Sequence, residues 1–514
     1  MSTATRVVKN TGFLYLKMGI SMFISLWTTR LILNSLGASD FGIYNVVGGA
    51  IAMLGFLNNA MATSTQRFMS YTKGEGNANK MRTVFTISIV LHLIVAFLAV
   101  LVFLLGYYIY FHGLLNIPAE RMPSAKLVYI CMIGSTVFTI MTVPYDAILN
   151  AHENMKIYAL IGLAESFMKL GVAFACVVSN NDKLLLYAIL MSVIPFISMG
   201  AMRIYCHRYY DECKFSLEKY WNRSLMKEMT VFAGWSLGIC LSSMFRQFGM
   251  GIILNFFFGT LANAAQGVVN QLNGQLSTLG NGIIKALNPV ITKSAGSEEY
   301  ENMLKAAVSG TKVSFFIITF VFIPFIVDTE YILKLWLYKV PRYSDIFCIL
   351  LLITTMVGNI TLFIPQMINA VGKIKEYSFF ISICNFLPLV LAVWAYMLHA
   401  TPEYMYYALM ISMIFKIIID LYYGHKYCGL NPRKYFREVI LTYTMNILLS
   451  IYISSLVKGY FPPSLMRFVL ISIIGISAYA LFAYILILNQ EERMTIKKII
   501  FSIRLKFKKQ YKTS

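Results

Sequence analysis

Fourteen stretches of this chain, the first at 11–36 and the last at 464–488, each run about 20 residues or more with predominantly apolar side chains. That is the length of helix needed to cross the hydrocarbon core of a bilayer, where every backbone N–H and C=O has to be satisfied within the segment. The pattern predicts an all-α polytopic membrane protein of about fourteen transmembrane helices. Charged residues make up only 13% of the chain and hydrophobic ones 58%, whereas a soluble domain carries about a quarter of its residues as charges. The first apolar run follows a short basic leader with no small-residue cleavage site, so it reads as a retained helix.

The formal net charge is +21, and its distribution decides what it means. Arg67, Lys73, Lys80 and Arg82, the segment Arg203 to Lys227, the segment Lys426 to Arg437, and the tail from Arg493 to Lys512 all fall on one side of the predicted topology. The other side has few basic residues, among them Arg121, Lys126, Lys334 and Lys339. This is the positive-inside asymmetry, and it predicts both termini in the cytoplasm. The basic tail then reads as a surface for anionic lipid, with no nucleic acid as partner. The eight cysteines form no CxxC pair, so neither a metal site nor a disulfide framework is expected. No cofactor is expected either: the chain has no GxxxxGK[ST] phosphate loop, which argues against ATP hydrolysis.

The chain repeats itself. Ile32-Leu33-Asn34 and Gly37 are echoed by Ile253-Leu254-Asn255 and Gly259, and Asn150-Ala151 with Lys156-Ile157-Tyr158 by Asn369-Ala370 with Lys375-Glu376-Tyr377. The two echoes share nearly one offset, which argues for an internal duplication. The expected organisation is two pseudo-symmetric six-helix bundles at 1–206 and 228–424, joined by a basic linker at 207–227. Two additional helices at 425–490 and a basic tail at 491–514 complete the chain. Each half has an even number of spans, so the repeats enter the membrane the same way round, with any transport site at their interface. Gly37-Ala38-Ser39-Asp40 is expected to turn between the first two spans. Gly48, Ala52, Gly55, Asn59 and Ala62 put small side chains on one face of the second.

Polar residues inside the spans mark the candidate site. On the eighth span, 260–286, Asn263, Gln266, Asn270, Asn273, Ser277 and Asn281 follow at steps of three or four and continue to Lys285, with Gln271 and Gln275 widening the stripe. An unpaired amide in hydrocarbon costs several kcal/mol, so this face meets protein or water. It is either an amide zipper or the wall of a hydrated cavity, and the length of the run favours the cavity. The intramembrane charges are mostly cationic: Arg30 on span 1, Arg246 on span 7 and Lys285 on span 8, with Arg67 at the end of span 2. An arginine does not shed its proton to enter lipid, so it faces water, an anion or an acid. Two guanidinium groups suit a phosphate or pyrophosphate by forked hydrogen bonds; snorkelling to an interface competes for Arg30 and is the better reading for Lys17 and Lys416. Glu165 and Lys169, one turn apart, are either a neutralising pair or an ion-coupling site. Asp146 and Asp420 fall near the inner interface and require no special role. Pro144 and Pro365, before the repeated Asn-Ala segments, are candidate hinge points or simple terminators.

The run containing Arg30, Leu36-Gly37, Phe41-Gly42 and Tyr44, followed by Gln66-Arg67, resembles bacterial polysaccharide biosynthesis proteins of the O-antigen flippase type, within the multidrug/oligosaccharidyl-lipid/polysaccharide exporter (MOP) superfamily. The resemblance implies a MATE-like fold and a transporter rather than an enzyme, in the bacterial inner membrane. It implies translocation of undecaprenyl-(pyro)phosphate-linked oligosaccharide to the outer face, for surface polysaccharide such as O-antigen or capsule; with no phosphate loop in the chain, an ion gradient (Na+ or H+) or the membrane potential is the expected drive. Membrane lipid, a polysaccharide polymerase and a chain-length regulator are the partners that go with such a role. A cationic cavity is expected of the family, and Arg30 and Arg246 are the positions that fit it. An ion-coupled drug exporter, a lipid II flippase and a membrane polysaccharide polymerase are the rivals; the last needs acid/base residues on a sizeable outer loop, which the short loops do not offer.

Overall fold

A computed structural model of the chain describes residues 3–52, 55–109, 118–337 and 340–487, together with Phe111 and Arg493. Apart from Arg493, the basic tail lies outside the described residues, as does Lys339. The described chain is helical throughout. Its elements are α1 (Thr3–Ala52), α2 (Gly55–Gly74), α3 (Ala78–Ile109), α4 (Met122–Ala151), α5 (Met155–Val178), α6 (Lys183–Tyr209), a short α7 (Leu217–Tyr220), and α8 (Arg223–Gly296). They continue with α9 (Tyr300–Val327), α10 (Thr329–Trp336), α11 (Ser344–Asn359), α12 (Ile364–Val371), α13 (Lys375–Met397) and α14 (Tyr404–Cys428). The short α15 (Pro432–Tyr435), α16 (Thr442–Tyr460) and α17 (Leu465–Phe482) complete the set. Eleven of the described helices are long and apolar enough to cross a membrane, or twelve if the broken pair α11 and α12 is one span. The fourteen read from the sequence include two more, α2 and the part of α8 beyond Gly259, whose amides and glycines keep them below that apolar standard.

The expected four-residue turn at Gly37 collapses to one residue. Gly37 (φ 78°, ψ 168°) breaks α1, and helix resumes at once through Ala38 to Asp40. Gly259 (φ 73°, ψ −168°) breaks α8 in the same way. A positive φ strains any residue with a Cβ, so glycine lets two helices meet here without a loop. The second echo is also carried by the backbone: Glu153 (φ 55°) follows α4 and Gly372 (φ 89°) follows α12, both left-handed. Pro365 starts α12 after a break at Ile360 to Phe363, where its missing N–H costs nothing, whereas Pro144 sits inside an unbroken α4.

The chain divides by packing into two compact units, and the division does not follow the linker. The first comprises Met1–Phe248, Asn281–Gly310 and Phe363–Phe386; the second comprises Gly249–Gly280, Thr311–Leu362 and Leu387–Ser514. In the first unit α4 packs on α2, α3 and α6, and α1 packs on α5. Ile32, Val172, Cys176, Tyr187 and Ile194 form one of its apolar clusters. At the end nearest the linker, Glu212 accepts from Lys73 (3.2 Å) and pairs with His152 (3.4 Å). Its carboxyl is pulled from 4.5 down to about 2, by the hydrogen bond to His152 first and with Lys73 adding to it.

The second unit is built on Leu254, Phe322, Phe347, Ala392 and Tyr406. Its last two helices are fastened to the end of α9. Arg467 donates from Nε (3.1 Å) and from Nη2 to the two carboxylate oxygens of Asp328, and Lys458 donates to the Val327 carbonyl (2.8 Å). Both members of the Arg467–Asp328 pair are buried.

Candidate functional site

The first unit encloses a cavity of about 520 Å³. Lys17 and Tyr44 come from α1, Asn58 and Asn59 from α2, Asp146 from α4, and Tyr158, Glu165 and Lys169 from α5. Of the small-residue face expected for close helix approach, Gly48 meets the Met132 side chain, Gly55 has open space beside it, and Asn59 and Ala62 line the cavity, while the Ala52 side chain lies outside the described residues. Glu165 and Lys169 both line the cavity, and no ion pair joins them among the described residues.

Lys17 and Asp146 take parts that the sequence did not assign to them. Rather than snorkelling, Lys17 places Nζ 4.3 Å from the Tyr158 ring centroid and lines the cavity. Lys285 approaches the same ring more closely, with Nζ 3.4 Å from its centroid. Lys285 also donates to both Asp146 oxygens, at 3.4 and 3.3 Å. Its charge is therefore held by a carboxylate and a ring (neither of which is substrate). Eight residues on, Lys293 pairs with Glu153 at 2.6 Å.

The three arginines differ. Arg67 is buried and committed to the protein: Nε donates to the Ala370 carbonyl (3.3 Å) and Nη2 to that of Val371 (3.4 Å), over the rings of Phe68 and Tyr71. It caps the end of α12 rather than standing open to a ligand. Arg246 is different. Nη2 reaches Ser243 Oγ at 3.4 Å, Nε is buried with no partner, and among the described residues no carboxylate lies within ion-pair distance. It stands 13 residues before Gly259, about 20 Å along the helix and well inside the membrane span. Arg30 is exposed on α1 beside Phe23, Trp27 and Asn34, again with no acid paired to it among the described residues.

The amide stripe of α8 splits. Gln266 is buried, with Oε1 3.1 Å from where a Cβ on Gly251 would stand, and Asn263 packs beside it; Asn273 accepts from Thr355 Oγ1 at 3.0 Å. These positions form the zipper part, and Ser277 is half-buried. Asn270, Gln271, Gln275 and Asn281 are exposed, and so are Ala264 and Gly267 before them and Gly274 among them. This exposed side lies along one edge of the expected stripe; after the exposed Leu261 it is polar or small from Ala264 to Asn281, as a helix wall toward water requires. In the second unit Lys416 does not snorkel: it pairs with the fully buried Asp420 at 2.7 Å, and Thr361 donates to the same oxygen at 2.6 Å. No cluster of His, Cys, Asp and Glu suited to a metal occurs among the described residues.

No protein-family model and no curated protein sequence matches the chain. Solved structures do. A MATE in the bent conformation superposes with a TM-score of 0.73 at 12% identity, over 82% of this chain and 95% of that one. An outward-facing multidrug resistance MATE family transporter of the MOP superfamily gives 0.68 at 15%, over 84% and 98%. A MOP superfamily transporter from Pyrococcus furiosus Vc1 (DSM3638), whose binding pocket has a reverse polarity suggesting a different function, gives 0.69 at 12%, over 84% and 98%. At these identities the likeness is one of architecture: the chain is an all-α, polytopic membrane protein with the MATE fold.

Proposed function

We propose that the chain is a transporter that moves an anionic, lipid-linked glycan, an undecaprenyl-(pyro)phosphate-linked oligosaccharide, across the bacterial inner membrane by alternating access, with both termini in the cytoplasm. The observation that carries this reading is Arg246, a mid-span guanidinium with a buried, unpartnered Nε and no carboxylate paired to it among the described residues. A permanent cation so placed requires an anion or water, and a phosphate satisfies its remaining donors. Arg30 offers a second guanidinium, and the exposed amides of α8 supply hydrogen bonds of the kind sugar hydroxyls accept and donate. Lys285 and Arg67 drop out of the substrate-binding set, because protein groups already hold them. Among proteins of this fold the polarity of the pocket varies, as the Pyrococcus furiosus transporter illustrates, so the sign of the unpaired charge is what separates the candidates.

One observation favours the rival, a multidrug exporter. Glu165 lines the first unit's cavity without an ion-pair partner among the described residues, which is what a cationic drug would need. Deletion of the gene in its own host decides between them. Complete glycan-lipid accumulating on the inner face, with surface polymer lost, is the result expected; normal surface polymer with altered drug sensitivity overturns the reading in favour of drug export. In the complemented strain Arg246→Ala, expressed at the normal level, abolishes export, and unchanged export removes Arg246 from the site.

A further inference from the structure

Asp146 opens onto the cavity of the first unit, yet the cation that neutralises it is part of the protein. Lys285 reaches it from α8, while the remaining walls of the site belong to α1, α2, α4, α5 and α6. Asn150 Nδ2 donates to Asp146 Oδ1 at 3.1 Å, which fixes the carboxylate whether or not the lysine is present. Lys285 and Lys293 stand on the same stretch of α8, so one displacement of that helix removes both from Asp146 and Glu153.

The contact that seats this stretch is built to part. A Cβ on Gly74 would lie 2.1 Å from the Lys293 carbonyl oxygen, and one on Gly296 would lie 2.1 Å from that of Tyr71. Gly74 and Gly296 are 222 residues apart, and so are Tyr71 and Lys293. Where backbone meets backbone through glycine, the two segments separate without a rotamer change at that point. When α8 withdraws, Asp146 remains on the wall of the cavity without the ammonium that neutralises it. A carboxylate so placed binds a cation or takes a proton.

On the reading of the chain as a transporter, we propose that Asp146 is its coupling-cation site, occupied in this conformation by the tethered ammonium of Lys285 and exchanged for a free monovalent cation, a proton or Na+, when the end of α8 withdraws. Lys285 and the free cation compete for one carboxylate, so re-seating of α8 and cation occupancy exclude each other, and this exclusion is what couples the ion to the conformational change. Glu165 lacks this property: among the described residues no α8 side chain pairs with it. The charged and titratable groups that line the cavity with Asp146 are Lys17 and Tyr44 from α1 and Tyr158, Glu165 and Lys169 from α5, with Lys285 facing it from α8; α2 and α6 add no titratable side chain to the lining.

The test uses the full chain in detergent, without any glycan, so its outcome is independent of the substrate assigned above. Thermal unfolding is followed against Na+ at constant ionic strength, and against pH, for the wild type, Lys285→Gln and Asp146→Asn/Lys285→Gln. Lys285→Gln shows a cation-dependent rise in Tm with an apparent affinity about tenfold or more above that of the wild type, and the double variant shows none. A rise with Na+ at fixed pH identifies Na+, and a rise with acid alone identifies the proton. In native membranes, where purification is not needed, carbodiimide labelling of Asp146 mapped by mass spectrometry increases in Lys285→Gln. A Lys285→Gln protein whose Tm and labelling match the wild type at every cation concentration and pH overturns the proposal.

Discussion

Gly74→Ala is the smallest perturbation that interrogates the glycine contact at the end of α8. The added Cβ would lie 2.1 Å from the Lys293 carbonyl oxygen and 2.8 Å from its C and Cα, whereas ordinary contact begins at 3.4 Å. The obstacle is backbone, so no rotamer change relieves it, and the two helices have to separate by about 1 Å. Overpacking of this kind costs about 1–3 kcal/mol. If the contact exists in only one of two conformations, the whole cost falls on that conformation and shifts the equilibrium by a factor of about 5–150 toward the other. Thr72 is buried beside the contact and serves as reporter. A single Thr72→Cys in a chain whose eight native cysteines have been replaced is labelled with a membrane-impermeant maleimide in inverted vesicles. Labelling accelerates by that factor in Gly74→Ala, and Gly296→Ala does the same. The double variant is less than additive, because both residues wedge one crossing. A lowered Tm with an unchanged labelling rate would show a static contact rather than a switching one, and no change in either would refute the geometry itself.

Three further outcomes are expected. Arg467→Ala strands the buried Asp328 carboxylate and costs about 3–5 kcal/mol, read as a large fall in Tm that Arg467→Ala/Asp328→Asn partly restores. Glu212, depressed to about 2 from 4.5, contributes stability that is fully present above pH 4.5 and is lost as the pH falls through about 2; the Tm difference between wild type and Glu212→Gln therefore narrows in acid, and a difference that widens there would contradict it. Asn270→Cys, on the exposed face of α8, reacts readily with water-soluble thiol reagents while Asn273→Cys, at the position that faces Thr355, reacts slowly; the reverse order would mean that the helix is rotated.

The parts of this architecture that depend on one stretch of chain were legible in the sequence. The apolar runs located the helices, and the echo of Gly37 at Gly259 located two breaks whose backbone angles nearly coincide. Even the less similar pair, Glu153 and Gly372, shares a left-handed conformation. What depends on lateral contact was not legible. Asp146 looked peripheral because position along a span says nothing about a lysine 139 residues away, and Lys416 looked like a snorkelling residue because a fully buried Asp420 was not anticipated as its partner. The stripe on α8 was identified by periodicity alone, which fixes the spacing of a face but not its azimuth. The packing of Gln266 and Asn273 turned the hydrated face toward Asn270 and Gln275. Arg246 was legible because a mid-span guanidinium is anomalous in any helix, whatever surrounds it.

The clasp between Arg467 and Asp328 bears on how the protein is made. Asp328 emerges from the ribosome 139 residues before Arg467 does, and its carboxylate is wholly buried in the finished molecule. Throughout the insertion of the helices between them, that acid has to stay hydrated at the membrane surface or borrow a transient partner. The end of α9 therefore settles only when α17 arrives, so a chain truncated before Arg467 carries a marker of incompleteness that quality-control proteases can reach.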